Sequence, residues 1–209
     1  MARSLTIKNL YDKKFKTFDF DGVWKDTMGQ PERNGAWLVY GAEKNGKTWF
    51  SLKLAEYLSK FEKTLYVSAE EGTGMTFVDA CKRAKINLKN KALHFSEYIP
   101  IEELDEKISK KRANKIIIID NITIYVDELK SGVLRAFLRK HSDKLIIFIA
   151  HEERNEPYTA TAKLVRKLAK IIIRIQGLAC FVSGRCKGGT LTIDETKAML
   201  YHGTQIAKK

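Results

Sequence analysis

Eight consecutive residues carry the most specific chemistry in this chain. Gly41-Ala42-Glu43-Lys44-Asn45-Gly46-Lys47-Thr48 fits the phosphate-binding pattern G-x-x-x-x-G-K-[ST] at every fixed position. Glycines at Gly41 and Gly46 would let the backbone turn so that its N–H groups converge on an anion. Lys47 would reach the β- and γ-phosphates of a nucleotide, and Thr48 would ligate Mg²⁺. A helix beginning here would add its positive N-terminal end. The loop, with Trp49 after it, is the expected nucleotide-contacting segment, and ATP and Mg²⁺ are the expected cofactors.

Three other places end an apolar run on a polar group. "KIIIID" ends in Asp120, where a carboxylate would hold the magnesium through a water. "LYVSAEEG" ends in Glu70 and Glu71, either of which could polarise an attacking water. "IIFIAHEERNEP" puts His151 at its tip, within reach of a γ-phosphate whose presence it could sense. In an open parallel sheet the ligand sits beyond the carboxyl ends of the strands, so all these groups would meet at one edge.

The elements needed to place them are legible. "AWLVY" leads into the phosphate loop, and "KTWFSLKLAEYLSKF" follows it with helical spacing of Phe50, Leu54, Tyr57 and Leu58. "TLYVS" precedes the helical pattern "MTFVDACKRAKI", and "IEELDEKISKKRA" precedes "KIIIID". "SGVLRAFLRKH", with Ser131 as its N-cap, precedes "KLIIFIA". The runs at 116–119 and 145–150 are apolar throughout, as strands buried on both faces are. Strands alternating with helices imply an α/β fold with a mostly parallel central sheet flanked by helices. The last stretches, "IIIRI", "ACFVSGR", "GGTLTID" and "AMLYHG", read as strands and hairpins. Residues 1–33 read as a peripheral N-terminal extension closed by the turn-rich "GQPERNG", and residues 34–209 as the ATPase domain.

The 209 residues suffice for one sizeable core. The longest apolar runs are far short of the roughly 20 residues a membrane span needs, and the N-terminus has no signal-peptide core. Three cysteines without metal-ligand spacing argue against a disulfide framework and for a cytoplasmic protein. The net charge is +13 and unevenly spread: between Glu156 and Asp194 there is no acidic residue, while Lys163, Arg166, Lys167, Lys170, Arg174, Arg185 and Lys187 all fall there. A positive field that local suits a polyanion such as nucleic acid.

Taken with their order, "GAEKNGKT", "LYVSAEE", "IIIIDN" and "IAHEERN" resemble the motifs of the RecA/RadA/DnaB class of P-loop ATPases, over about residues 36–185. The resemblance implies a RecA-like core with one strand inserted between the phosphate-loop strand and the Asp120 strand. It implies Glu70 as the catalytic glutamate, with Glu71 the alternative, and action on DNA as a homo-oligomer, ring or filament. Without the extra domains of the larger members, a small phage- or mobile-element-type recombination or replication ATPase fits the size. In that class the loop after the sensor strand contacts DNA. Here it is "HEERNEPYTATA", with Arg154 and Asn155, followed by "KLVRKLAK". Lys163, Arg166, Lys167 and Lys170 recur at helical spacing as one expected stripe for single-stranded DNA, bound without regard to sequence. Arg185, or Lys187, resembles the cation that DnaB-type proteins place across the subunit interface. Two other classes compete: a regulatory or loading protein using ATP as a switch, in the manner of KaiC-like ATPases, and a nucleotide kinase.

Overall fold

A computed structural model describes residues 4–130 and 132–192. The expected N-cap Ser131 and the strands expected beyond Thr192 lie outside the described residues. Strands β1 (Gly35–Gly41), β2 (Thr64–Ser68), β3 (Leu93–Ser96), β4 (Ile116–Asp120), β5 (Leu145–Glu153) and β7 (Ile171–Gln176) run parallel in the order β3-β2-β4-β5-β1-β7. β8 (Ala179–Gly184) and β9 (Gly189–Thr192) continue the sheet antiparallel, and the short β6 (Glu156–Pro157) folds back on the end of β5. β5 therefore lies between β1 and β4, as the RecA-like order requires.

Each central strand is apolar on both faces because both are covered. On one face Trp37, Val39, Tyr66, Ile118, Ile147 and Ile173 pack under α3 (Lys47–Leu58) and α4 (Met75–Arg83). On the other, Leu38, Leu65, Ile117, Ile119, Ile146 and Phe148 meet α5 (Ile101–Ser109), α6 (Val133–Lys140) and α7 (Ala160–Leu168). Alternation along each strand divides its residues between two cores.

The N-terminal stretch departs from the expected peripheral extension. The short α1 (Ile7–Tyr11) is exposed, but from Thr17 onward the chain joins the core. Phe18 and Phe20 are fully buried and packed against Trp37, Tyr57 and Phe61, and Met28 closes α2 (Gly22–Met28) from inside. Tyr57 Oη donates to Asp21 Oδ1 at 2.7 Å and accepts from the Asp21 backbone N–H. The irregular aromatic spacing of this stretch follows from its being part extended chain, with Phe18 and Phe20, and part short helix, with Trp24, rather than one helical or strand face.

Candidate functional site

The phosphate loop runs from β1 to α3. Gly41 is required by a close approach: a Cβ there would stand 2.3 Å from the Ile175 carbonyl oxygen of β7. Gly46 caps α3 in the left-handed region, φ +91°, and Lys44 also has positive φ. Asn45 fixes the loop from its middle, donating to the Glu43 carbonyl and accepting from the Gly177 N–H of the β7–β8 turn. Ala42 presents its carbonyl inward, where Lys47 Nζ donates to it at 2.8 Å. Lys47 is buried, and burial lowers its pKa while the charges of Asp120, Glu70 and Glu43 hold it up.

Parallel pairing of β2 with β4 sets Ser68 opposite Asp120 and so brings Glu70 beside the Asp120 strand end. Asp120 is partly buried among these groups. Its Oδ2 accepts a 2.5 Å hydrogen bond from the Tyr66 hydroxyl. Burial raises its pKa to about 6; the Tyr66 bond opposes this, Glu71 and Glu70 add to it, and Lys47 counters. Asn121 Nδ2 donates to Glu70 Oε2 at 2.8 Å, and its own Oδ1 accepts the Thr123 N–H. His151 Nε2 lies 3.2 Å from both Glu70 oxygens, while its Nδ1 is buried with no hydrogen-bond partner among the described residues. With the proton on Nε2, Nδ1 is left as an acceptor.

These groups line one cleft of about 640 Å³ at the carboxyl edge of the sheet, with Glu43, Lys44, Gly46, Thr48 and Trp49 on its loop side. Lys53 rests over the Trp49 ring. The cleft brings together the sequence-predicted Lys47, Thr48, Glu70, Asp120 and His151. It also distinguishes the two glutamates, since Glu70 is held by two side chains and Glu71 by none among the described residues. Tyr66, Asn121, Arg83 and Leu178 belong to the same place and were not singled out by sequence. Only Asn121, directly after the apolar run "IIIID", carried a local signal.

The other expected residues lie elsewhere. The loop "HEERNEPYTATA" is a hairpin of β5 and β6, turned at Arg154 and Asn155, both with positive φ. Asn155 Oδ1 accepts from Arg174, which also makes a two-pronged pair with Glu152. The expected basic stripe is not one stripe. Arg166 pairs with Glu156 and lies over Tyr40, and Lys170 falls beyond the end of α7 and pairs with Glu32. Lys163 and Lys167 are exposed and have no ion-pair partner among the described residues. The stretch is acid-free in sequence but not in space, because carboxylates from other elements reach it. Arg185 follows the end of β8, opposite the start of β7, at the sheet edge away from the cleft. It takes no part in the site of its own subunit; across-interface action would require the cleft of a second copy.

The solved structure of flagellar accessory protein FlaH from Methanocaldococcus jannaschii is similar in fold, with a TM-score of 0.60 at 19% identity over 81% of this chain and 87% of that one. This likeness, with the strand order, makes the fold RecA-like. No curated protein matches the sequence. The family model described as inactive STAND (iSTAND) matches residues 15–158, well over half of the chain, and the protein belongs to that family.

Proposed function

We propose that the protein is an Mg²⁺-dependent ATP-binding protein of RecA type that hydrolyses ATP and couples it to DNA as a homo-oligomer. The observation that carries this is the convergence of Lys47, Glu70, Asp120 and His151 in one cleft, with Glu70 fixed by Asn121. The loop N–H groups and the start of α3 would bind the phosphates, and Lys47 would leave the Ala42 carbonyl for the γ-phosphate oxygens. Thr48, with Asp120 through a water, would supply the hard oxygen ligands that Mg²⁺ prefers. The ion would neutralise charge on the phosphates. Glu70 would take the proton of a water as its oxygen attacks the γ-phosphorus and ADP departs.

One observation favours slower, switch-like use of the same site. Both Glu70 oxygens face His151, so the base is itself a hydrogen-bond partner of the strand-end histidine. The family description, inactive STAND, points the same way. On this reading a γ-phosphate drawing His151 away frees Glu70, and nucleotide state is reported through β5. DNA is supported by the exposed, unpaired Lys163 and Lys167 on α7. ATP turnover with and without single-stranded DNA separates the readings. Stimulation supports the DNA-coupled ATPase, binding without turnover supports the switch, and turnover only with a nucleoside acceptor supports a kinase. A Lys47→Ala variant that binds and hydrolyses ATP normally refutes the site.

A further inference from the structure

A second concavity lies at the opposite edge of the sheet, where the parallel strands begin. It is a hollow of about 320 Å³ whose lining includes Gly35, Arg135, Arg139, Lys170 and Arg185, and no carboxylate. That volume is at the small end of the range for small-molecule sites, about 300–1,000 Å³.

The hollow is built rather than incidental. Gly35 has φ +95°, and a Cβ on it would meet Lys170 Cε at 2.8 Å, so the lysine stem crosses the strand start where no side chain stands. Lys170 Nζ ends on Glu32 and on Asn34 Oδ1. Gly184 has φ +110°, and a Cβ there would stand 2.5 Å from the Lys170 carbonyl oxygen. The Arg185 N–H donates to that same carbonyl at 2.6 Å, which fixes the root of its side chain beside Lys170. Arg135 and Arg139 are one helical turn apart on α6 and share a face.

Charge balance distinguishes the three arginines from the other cations here. Glu32 is taken by Lys170, and Asp105 by Lys140 and His141. Arg135, Arg139 and Arg185 are exposed and form no ion pair with any described residue. Three free guanidinium forks around a hollow repel one another until an anion enters, and the fork matches phosphate oxygens in pairs. The aliphatic side chains among the described lining residues are the buried Ala36 and the partly covered Leu138 and Leu168, so no large exposed apolar anchor for a protein partner is on offer.

We propose that this hollow is a phosphate-binding site, separate from the P-loop, which takes a phosphate of a nucleic-acid strand or of a small phosphorylated ligand through Arg135, Arg139 and Arg185. The nucleic-acid form rests on the DNA reading above; the small-ligand form stands without it. The test uses the full chain in a Lys47→Ala background, to remove the affinity of the phosphate loop. A labelled oligothymidylate and pyrophosphate are titrated in turn against this protein and against Arg135→Glu/Arg139→Glu and Arg185→Glu made in it.

For a strand, the double charge reversal weakens oligonucleotide binding by about tenfold or more and lowers the salt slope by roughly 0.7 for each lost contact. For a small ligand, pyrophosphate binding falls and oligonucleotide binding does not. Because the arginines are unpaired, melting temperatures should stay near that of the background; Arg→Lys at 135 and 139 gives a control that retains charge. Unchanged binding of both probes in both folded charge-reversal variants overturns the proposal. A parallel Lys163→Glu/Lys167→Glu variant keeps the outcomes apart: loss of oligonucleotide binding there, with neither probe affected in the arginine variants, retains the DNA reading and sinks the hollow.

Discussion

Asp120 sits in conflict with its own burial. In the unfolded chain its carboxyl titrates near the ordinary value of about 3.9, and in the fold near 6. Between those values the folded state keeps a proton that the unfolded state releases, so its contribution to stability falls as pH rises through the window and is least above 6. Two units at about 1.4 kcal/mol each set an upper limit of about 3 kcal/mol. Asp120→Asn should therefore melt higher than wild type at about pH 7.5, by about 1–3 kcal/mol, and the gap should narrow toward pH 4–5. The same variant should lose Mg²⁺-dependent stabilisation by ATP. Equal melting at both pH values would show that Asp120 is not strained by burial. Glu70→Gln makes the complementary case: ATP-induced stabilisation is retained and turnover drops by about 10²-fold or more, read by phosphate release. At this scale the loop was legible because its grip is local, eight adjacent residues. The contacts that tune it, Tyr66 to Asp120 and Asn121 to Glu70, join residues 54 and 51 apart and have no local signature.

Among the elements, strands that are apolar throughout declared themselves, since two covered faces leave no position for polar residues. β3 did not: "LHFS" is four residues long, at the sheet edge, with only Leu93 buried. Nor did the role of residues 17–33, whose burial comes from distant aromatic partners. Phe18→Ala should cost about 3–5 kcal/mol, seen as a lower midpoint in urea, because a fully buried ring is removed from contact with Phe20, Trp37 and Phe61. A change below about 1 kcal/mol would return this segment to the periphery.

For the whole molecule, the excess of positive charge was correctly located along the chain but not in space. Folding supplies acids from elsewhere: Glu32 to Lys170, Glu152 to Arg174 and Glu156 to Arg166. What remains free is divided between Lys163 and Lys167 on α7 and the arginines at the far edge. Binding of single-stranded DNA should weaken steeply with salt, and Lys163→Glu/Lys167→Glu should reduce affinity by about tenfold while Arg166→Glu also disturbs the hairpin it supports. Equal affinity for wild type and the lysine variant, measured by anisotropy across a salt series, would remove α7 from the interface.

The glycine at the head of the phosphate loop has a consequence for folding as well. β7 begins Ile171-Ile172-Ile173, and β4 and β5 are nearly as uniform. Sliding such a strand by two residues keeps every side chain on its proper face, so the hydrophobic pattern does not penalise the slip. Gly41 does. In the native register it meets the Ile175 carbonyl with no room for a Cβ, and shifting β7 would bring Val39 or another side chain against that oxygen. The residue that opens the phosphate grip thus also fixes how the nearly featureless start of β7 aligns with β1.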